Sequence, residues 1–242
     1  MEIIEKKDNK LVFKAEISES LANAIRRYVN EIETLAVDEV EIQNNGSPLY
    51  DETVAHRIGL IPLKMEKSYN SKTETYLTLK STKPGMVLAK EFKGEAEVVY
   101  PEIPITLLDD QQELEVKAIA KLGKGKQHAK FSPGAIFYRN TAEITMDKEF
   151  ADSIKKVYSE IKIKEKGNKI SIQDDGANEL VDFCSGLADS VGKEVEIIYG
   201  NELVMTVESF GQMDTKEIPK KAATLLKDDL EELGKKVEKL IK

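Results

Sequence analysis

The 242-residue chain is 40% hydrophobic and 33% charged, with no low-complexity tract. That balance supports a sizeable core, in one complex domain or two small ones, and excludes disorder over most of the length. A net charge of −8 excludes a free-standing binder of duplex DNA, which neutralises phosphates with clustered Lys and Arg.

In chain order, IIEKKDNKLVFKAEI sets two short apolar runs about a polar DNK turn and predicts a hairpin over residues 1–17. A helix follows. Ser18 or Ser20 can cap it and Glu19 suits the positive end of its dipole. Leu21, Ala24, Ile25, Tyr28, Val29, Ile32, Leu35 and Ala36 recur at helical spacing, so the helix is expected to run to about Ala36 with one apolar face wanting a partner. Residues 37–43 alternate imperfectly, as a half-buried strand does, and NNGSP then turns the chain.

Strands are predicted at 76–80, 95–100 and 113–120, with KPG, YPEIP and LGKGK as turns and loops between them. A small mixed module comes next: a helix at 148–160, a hairpin in IKIKEKGNKISI, a helix near 179–191 and a strand at 195–199. The tail reads as a strand at 202–210, a capped turn at 211–219 and a long helix at 220–242. On that helix Ala222, Leu226, Leu230, Leu233, Val237 and Leu240 form a coiled-coil-like seam against a charged back. Burying six such side chains is worth on the order of 10 kcal/mol, similar to the ~4–15 kcal/mol cost of association. One seam alone is marginal, whereas the seam and the 21–36 face together suffice for an obligate interface.

Catalytic signatures are missing. His56 and His128 are the only histidines, and no GxSxG or HExxH word occurs. Glu52 and His56 lie four apart with Asp51 beside them, but no second histidine is near, so no metal site is expected. LGKGKQHAKFSPG, residues 122–134, satisfies neither a Walker motif nor a dinucleotide fingerprint. Its lysines, with Lys121, are read as a protein contact, because only Phe131 offers an aromatic platform for bases. Cys184 is the sole cysteine, which excludes an internal disulfide and a cysteine-based zinc site. The start MEIIEKKDNK lacks the apolar core of a signal peptide, and no apolar run approaches the ~18 residues of a membrane helix, so a cytoplasmic location is expected.

The words LANAIRRY, DEVEI, LYDE and AHRIGLIPL in residues 20–63 closely resemble the D-type subunit family of archaeal DNA-directed RNA polymerase, the counterpart of the bacterial alpha N-terminal domain and of the third-largest eukaryotic subunit. The 122–134 loop resembles that family's GxGxxHAK segment, and VMTVESFG with the closing helix matches more loosely. The resemblance implies an α+β fold: a discontinuous alpha-like dimerisation domain (1–43 and 198–242), a strand-rich insert domain (44–146) and a small ferredoxin-like module (147–197) lacking cluster cysteines. It implies a non-catalytic assembly subunit that pairs with subunit L, joins the small subunits N and P, and seats the large subunits. One of these, the second-largest, is an expected partner. DNA is reached only through the complex, and the catalytic magnesium belongs to another subunit. By the same resemblance Leu21, Ala24, Ile25, Tyr28, Val29, Ile32, Leu226, Leu230, Leu233, Val237 and Leu240 face subunit L, while Arg26 and Arg27 meet a large subunit. Some members carry iron-sulfur clusters in the module. A four-iron cluster takes four thiolates, so with one cysteine none is expected here. A self-pairing alpha-type subunit is the alternative within the family. Outside it stand an independent nucleic-acid-binding module and a stand-alone enzyme.

Overall fold

The computed structural model describes residues 1–66, 68–70 and 73–241. In chain order its elements are β1 (Glu2–Lys6), β2 (Lys10–Ala15), α1 (Glu19–Tyr28), β3 (Glu33–Asn45), α2 (Asp51–Gly59), β4 (Glu74–Ser81), β5 (Gly85–Leu88), β6 (Lys93–Gly94), β7 (Pro104–Leu108), β8 (Leu114–Lys124), β9 (Gly134–Asp147), α3 (Ala151–Val157), β10 (Ile163–Lys166), β11 (Lys169–Asp174), α4 (Leu180–Asp189), β12 (Glu196–Ser209) and α5 (Glu217–Ile241). They fall into two compact units, Met1–Asn23 with Ile136–Val207, and Ala24–Ala135 with Glu208–Lys242. These units divide the chain at other points than the segments 1–43, 44–146, 147–197 and 198–242 read from the sequence.

The first unit is built on a sheet of order β1-β2-β12-β9-β11-β10. β1 and β2 form the expected antiparallel hairpin, with Lys6 opposite Leu11. Alternation on β9 and β11 turns Ala142, Ile144, Met146, Ile170 and Ile172 to one face. Ile154 of α3 and Leu180, Cys184 and Ala188 of α4, the last three at i, i+4 and i+8, cover that face. The other face is polar, and Ser171 Oγ donates to Glu143 Oε1 at 2.7 Å. β10 ends the sheet with only four residues, three of them charged, which discourages pairing with another chain.

One buried charge holds the loop that follows β11. Asp174 is 1% exposed. Arg139 Nη2 donates to Asp174 Oδ1 (2.8 Å) and to the carbonyls of Gly176 (2.9 Å) and Asn178 (2.7 Å). Asp174 Oδ2 in turn accepts the Leu180 amide at 3.2 Å, capping α4 from the end of the preceding strand. Burial pushes the Asp174 carboxyl up, against the opposing pull of Arg139 and two backbone amides. Its contribution to stability is therefore present below the ordinary Asp value of 3.8 and is lost as the pH rises through the higher folded value.

The core of the second unit lies on a sheet of order β3-β8-β4-β6. β4 alternates strictly, burying Thr75, Leu77, Leu79 and Ser81. α2 adds Val54 and Ile58 to the core, and the β5-β7 ribbon adds Val87, Ile105 and Leu108. The solvent face of the sheet is a charge ladder: Lys121 pairs with Glu39 (2.8 Å), Lys117 with Glu41 (3.5 Å) and Lys80 with Glu115 (2.5 Å), and Lys117 lies 4.8 Å over the Tyr76 ring.

Several expectations from the sequence need correcting. The first helix stops at Tyr28 rather than Ala36; a 3-10 turn at Val29–Glu31 leads straight into β3. Thr34, Leu35, Ala36 and Val37 are all buried, and a run buried on both strand faces mimics helical spacing over a few residues. Residues 95–100 make no strand: Glu97 accepts from Lys64 and Val99 donates to Pro62 in an isolated antiparallel bridge that sets Leu63 opposite Val98, while Glu95 donates instead to Tyr76. Most of LGKGK is strand, since β8 stays paired with β3 as far as Glu33 opposite Lys124. The strands expected at 195–199 and 202–210 are one, β12. The helix expected at 148–160 is a 3-10 turn plus α3, ending at Val157. α5 begins at Glu217, with Pro219 inside its first turn, where an amide has no helical partner to lose. β5, β6, β7 and β9 are additions to the strands read from the sequence.

Arg139→Met leaves the Asp174 charge buried and unpaired, and is expected to destabilise the first unit by roughly 3–5 kcal/mol in urea unfolding followed by circular dichroism. Arg139→Met combined with Asp174→Asn recovers much of that loss. Asp174→Asn alone removes the fall in stability above the ordinary Asp range.

Candidate functional site

Ser18 is the residue that caps α1, its Oγ accepting the Leu21 amide at 3.3 Å. Leu21, in the first unit, is exposed, whereas Ala24, Ile25 and Tyr28, in the second, are half-buried. Val29 and Ile32 are buried inside the second unit with Leu35 and Ala36. Expected to face a partner, Val29 and Ile32 have no surface to offer one, because the turn into β3 carries them into the unit's own interior. Arg26 and Arg27 are exposed in the last turn of α1, where cations suit the helix dipole.

α5 changes character along its 25 residues. Ile218 and Ala222 are fully buried, Leu225 and Leu226 half-buried, and then Leu230 (58% exposed), Leu233 (57%), Val237 (43%) and Leu240 (86%) stand in solvent. One stripe thus begins in the core of the unit and runs out of it. The root is tight, for a Cβ on Gly134 would lie 2.2 Å from the Glu208 carbonyl oxygen and 2.9 Å from Ile218 Cδ1. The charged back of the helix satisfies itself through Lys227–Glu231 (3.6 Å) and Lys236–Glu232 (2.5 Å), each one turn apart.

Where α1 ends, α5 and the 122–134 loop meet. Tyr28 Oη donates to Asp229 Oδ2 at 3.0 Å, and this bond to the carboxylate holds the phenol proton, raising the Tyr28 pKa. Glu31 takes Lys126 at 2.8 Å and Lys124 at 3.3 Å. Lys126 first, and Lys124 after it, hold the Glu31 carboxyl below its ordinary range. The Lys126 amide donates to the Asn30 carbonyl (3.2 Å), and a Cβ on Gly125 would lie 2.6 Å from Asn30 Oδ1. That approach explains a glycine here. Beside the joint a cleft of about 610 Å³ opens between Ile32, Met65, Leu122 and Lys124 on one side and Thr224 and Leu225 of α5 on the other.

All four lysines of the loop region are engaged inside the chain: Lys121 with Glu39, Lys124 and Lys126 with Glu31, and Lys130 with Asp38 at 3.1 Å. A phosphate-binding stripe would have to break these pairs. His128 Nδ1 accepts the Lys130 amide at 3.1 Å and caps a 3-10 turn, Ala129–Phe131. On α2, Asp51 accepts from Asn45 Nδ2 at 2.7 Å. Among the described residues no three or more His, Cys, Asp or Glu side chains are arranged to hold a metal, and no helix is long and apolar enough to cross a membrane. Sequence reasoning misses Glu31 and Asp229. Each looks like an ordinary surface acid, and nothing local links them to residues about 100 or 200 positions away.

Over residues 40–137 the sequence matches the model of the RNA polymerase Rpb3/RpoA insert domain family. Such a domain set between strand-and-helix segments defines an alpha-type RNA polymerase subunit. Similar proteins named DNA-directed RNA polymerase subunit Rpo3 occur in Pyrococcus furiosus (31% identical; 93% of this chain, 92% of the relative), Archaeoglobus fulgidus (30%; 99% and 98%) and Methanothermobacter thermautotrophicus (29%; 95% and 95%). The chain belongs to the archaeal Rpo3 family, which comprises the D-type subunits, and is part of a DNA-directed RNA polymerase, a nucleotidyltransferase complex.

Gly134→Ala forces a Cβ onto the Glu208 carbonyl at the root of α5, and a loss of about 1–3 kcal/mol in thermal or urea unfolding is expected.

Proposed function

We propose that the chain is a non-catalytic assembly subunit that pairs with the small alpha-like subunit L through α1 and α5, and that the pair gathers subunits N and P to seat the large subunits. The observation carrying this reading is the run of Leu230, Leu233, Val237 and Leu240 in solvent, continuous with a buried root at Ile218 and Ala222. Burying four such side chains contributes roughly 6–12 kcal/mol, against the ~4–15 kcal/mol cost of association. α5 therefore needs help, and Leu21, Ala24, Ile25 and Tyr28 of α1 supply it. Arg26 and Arg27 then meet carboxylates of the second-largest subunit, for which planar guanidinium groups are suited. The magnesium that drives nucleotidyl transfer sits in a large subunit. Promoter DNA is reached through the complex, in the cytoplasm.

Within the first unit, β9-α3-β10-β11-α4-β12 runs strand-helix-strand-strand-helix-strand with spatial order β12-β9-β11-β10, which supports a ferredoxin-like module. On this reading its sheet takes in β9 and β12 as well as the 147–197 segment. The residues do not fit an iron-sulfur cluster. Cys184 is the single cysteine, it is buried in the core between α4 and the sheet, and burial pushes its thiol up to about 11. A protonated core thiol is no ligand, and the module serves as a structural or interaction domain.

Replacing Leu226, Leu230 and Leu233 together with Glu is expected to abolish pairing with subunit L in size-exclusion chromatography with light scattering. An unchanged heterodimer places the interface elsewhere, and a homodimer of the unmodified chain alone favours a self-pairing subunit. Anaerobically purified protein is expected to hold no stoichiometric iron or acid-labile sulfide; finding both overturns the cluster-free reading.

A further inference from the structure

Beyond Leu226, α5 is a cantilever. The 15 residues from 227 to 241 extend for about 22 Å at 1.5 Å per residue, so a tilt of about 10° at the base displaces the tip by roughly 4 Å. A displacement of that size unseats interdigitated side chains, because packed surfaces lose contact over less than an ångström. The bearing of the helix must therefore be set near its point of exit.

A link from the exposed half of α5 to another element of its unit sits at that point, the Tyr28 Oη–Asp229 Oδ2 bond of 3.0 Å. It is backed from one side. Lys126, paired with Glu31 at 2.8 Å, also acts electrostatically on Asp229 and Tyr28. Lys126 is itself placed by its backbone bond to Asn30 and by the close passage of Gly125 over Asn30.

We infer that Tyr28 and Asp229, braced by the Glu31–Lys126 pair, are positioning residues that fix the bearing of α5 and so pre-organise the partner-binding seam. The 122–134 loop acts on the interface through this brace rather than as a nucleic-acid contact. The inference rests on the pairing reading for its consequence but not for its geometry.

Two readouts test it on the full chain. The first needs no partner. Spin labels on Leu240→Cys and Thr78→Cys, both in the second unit, in a Cys184→Ala background, report the distance from helix tip to sheet. Tyr28→Phe and Asp229→Ala are expected to broaden that distribution, and Asp229→Asn, which still accepts the phenol hydrogen bond, to leave it narrow. The second readout is affinity for purified subunit L. Tyr28→Phe and Asp229→Ala are each expected to weaken it about 3- to 10-fold, and the double variant no more than either alone, the mark of one shared interaction. Additive losses mean separate contacts with the partner and overturn the inference, as does an unchanged distance distribution. A broadened distribution in a chain that never binds subunit L upholds the brace and refutes the pairing reading.

Discussion

The antiparallel pairing of β3 with β8 is the constraint on which the second unit depends. It runs from Glu33 opposite Lys124 to Asn45 opposite Leu114, joining segments about eighty residues apart. Because Glu33 is committed to this ladder, the helix before it must end, and it does so at Tyr28 through a single 3-10 turn. Because Lys124 is committed at the same rung, the loop after β8 must fall on the turn before β3. The contacts of Glu31 with Lys124 and Lys126, and of Asn30 with Gly125, follow from that register. A slip of one residue would move Leu35 and Val37 to the face that the smaller Thr34 and Ala36 now fill.

The two units solve their polar burdens in different ways. The second keeps its charges on the surface, where cross-strand pairs such as Lys121–Glu39 are individually worth little but keep the sheet face solvated. The first takes a carboxylate inside and gives it the amide end of α4 and Arg139, whose guanidinium also donates to the loop carbonyls. That arrangement fastens the loop between β11 and α4. It also makes the loop depend on one side chain from β9, since loss of Arg139 strands the charge and frees several carbonyls at once.

Much of the candidate site is legible along the chain, because it rests on local patterning. The seam of α5, the hairpin at the start and the glycines of the 122–134 loop are periodic or compositional signals of one short window each. Which apolar residues stay in solvent is not legible there. Ile32 and Leu230 look alike in sequence, yet one is buried by the turn into β3 and the other is carried away from the unit by a straight helix. Helical spacing overshoots to Ala36 because four consecutive buried positions satisfy either period. Alternation predicts a strand at 95–100, where only the one bridge of Val98 to Leu63 forms, since it carries no information on how far a neighbour runs alongside.

By itself the sequence determined the absence of a cluster-binding cysteine set, the membership of the chain in its family, and the existence of a long helix with one apolar stripe; each follows from residue identity or short-range spacing. Only the tertiary structure decided where the first helix stops, that the loop lysines are spent on Glu31, Glu39 and Asp38, and that Tyr28 reaches Asp229. Those outcomes are set by strand register and by how far a helix runs past its last buried turn. Both are long-range balances of burial and hydrogen bonding that no local window of the chain contains.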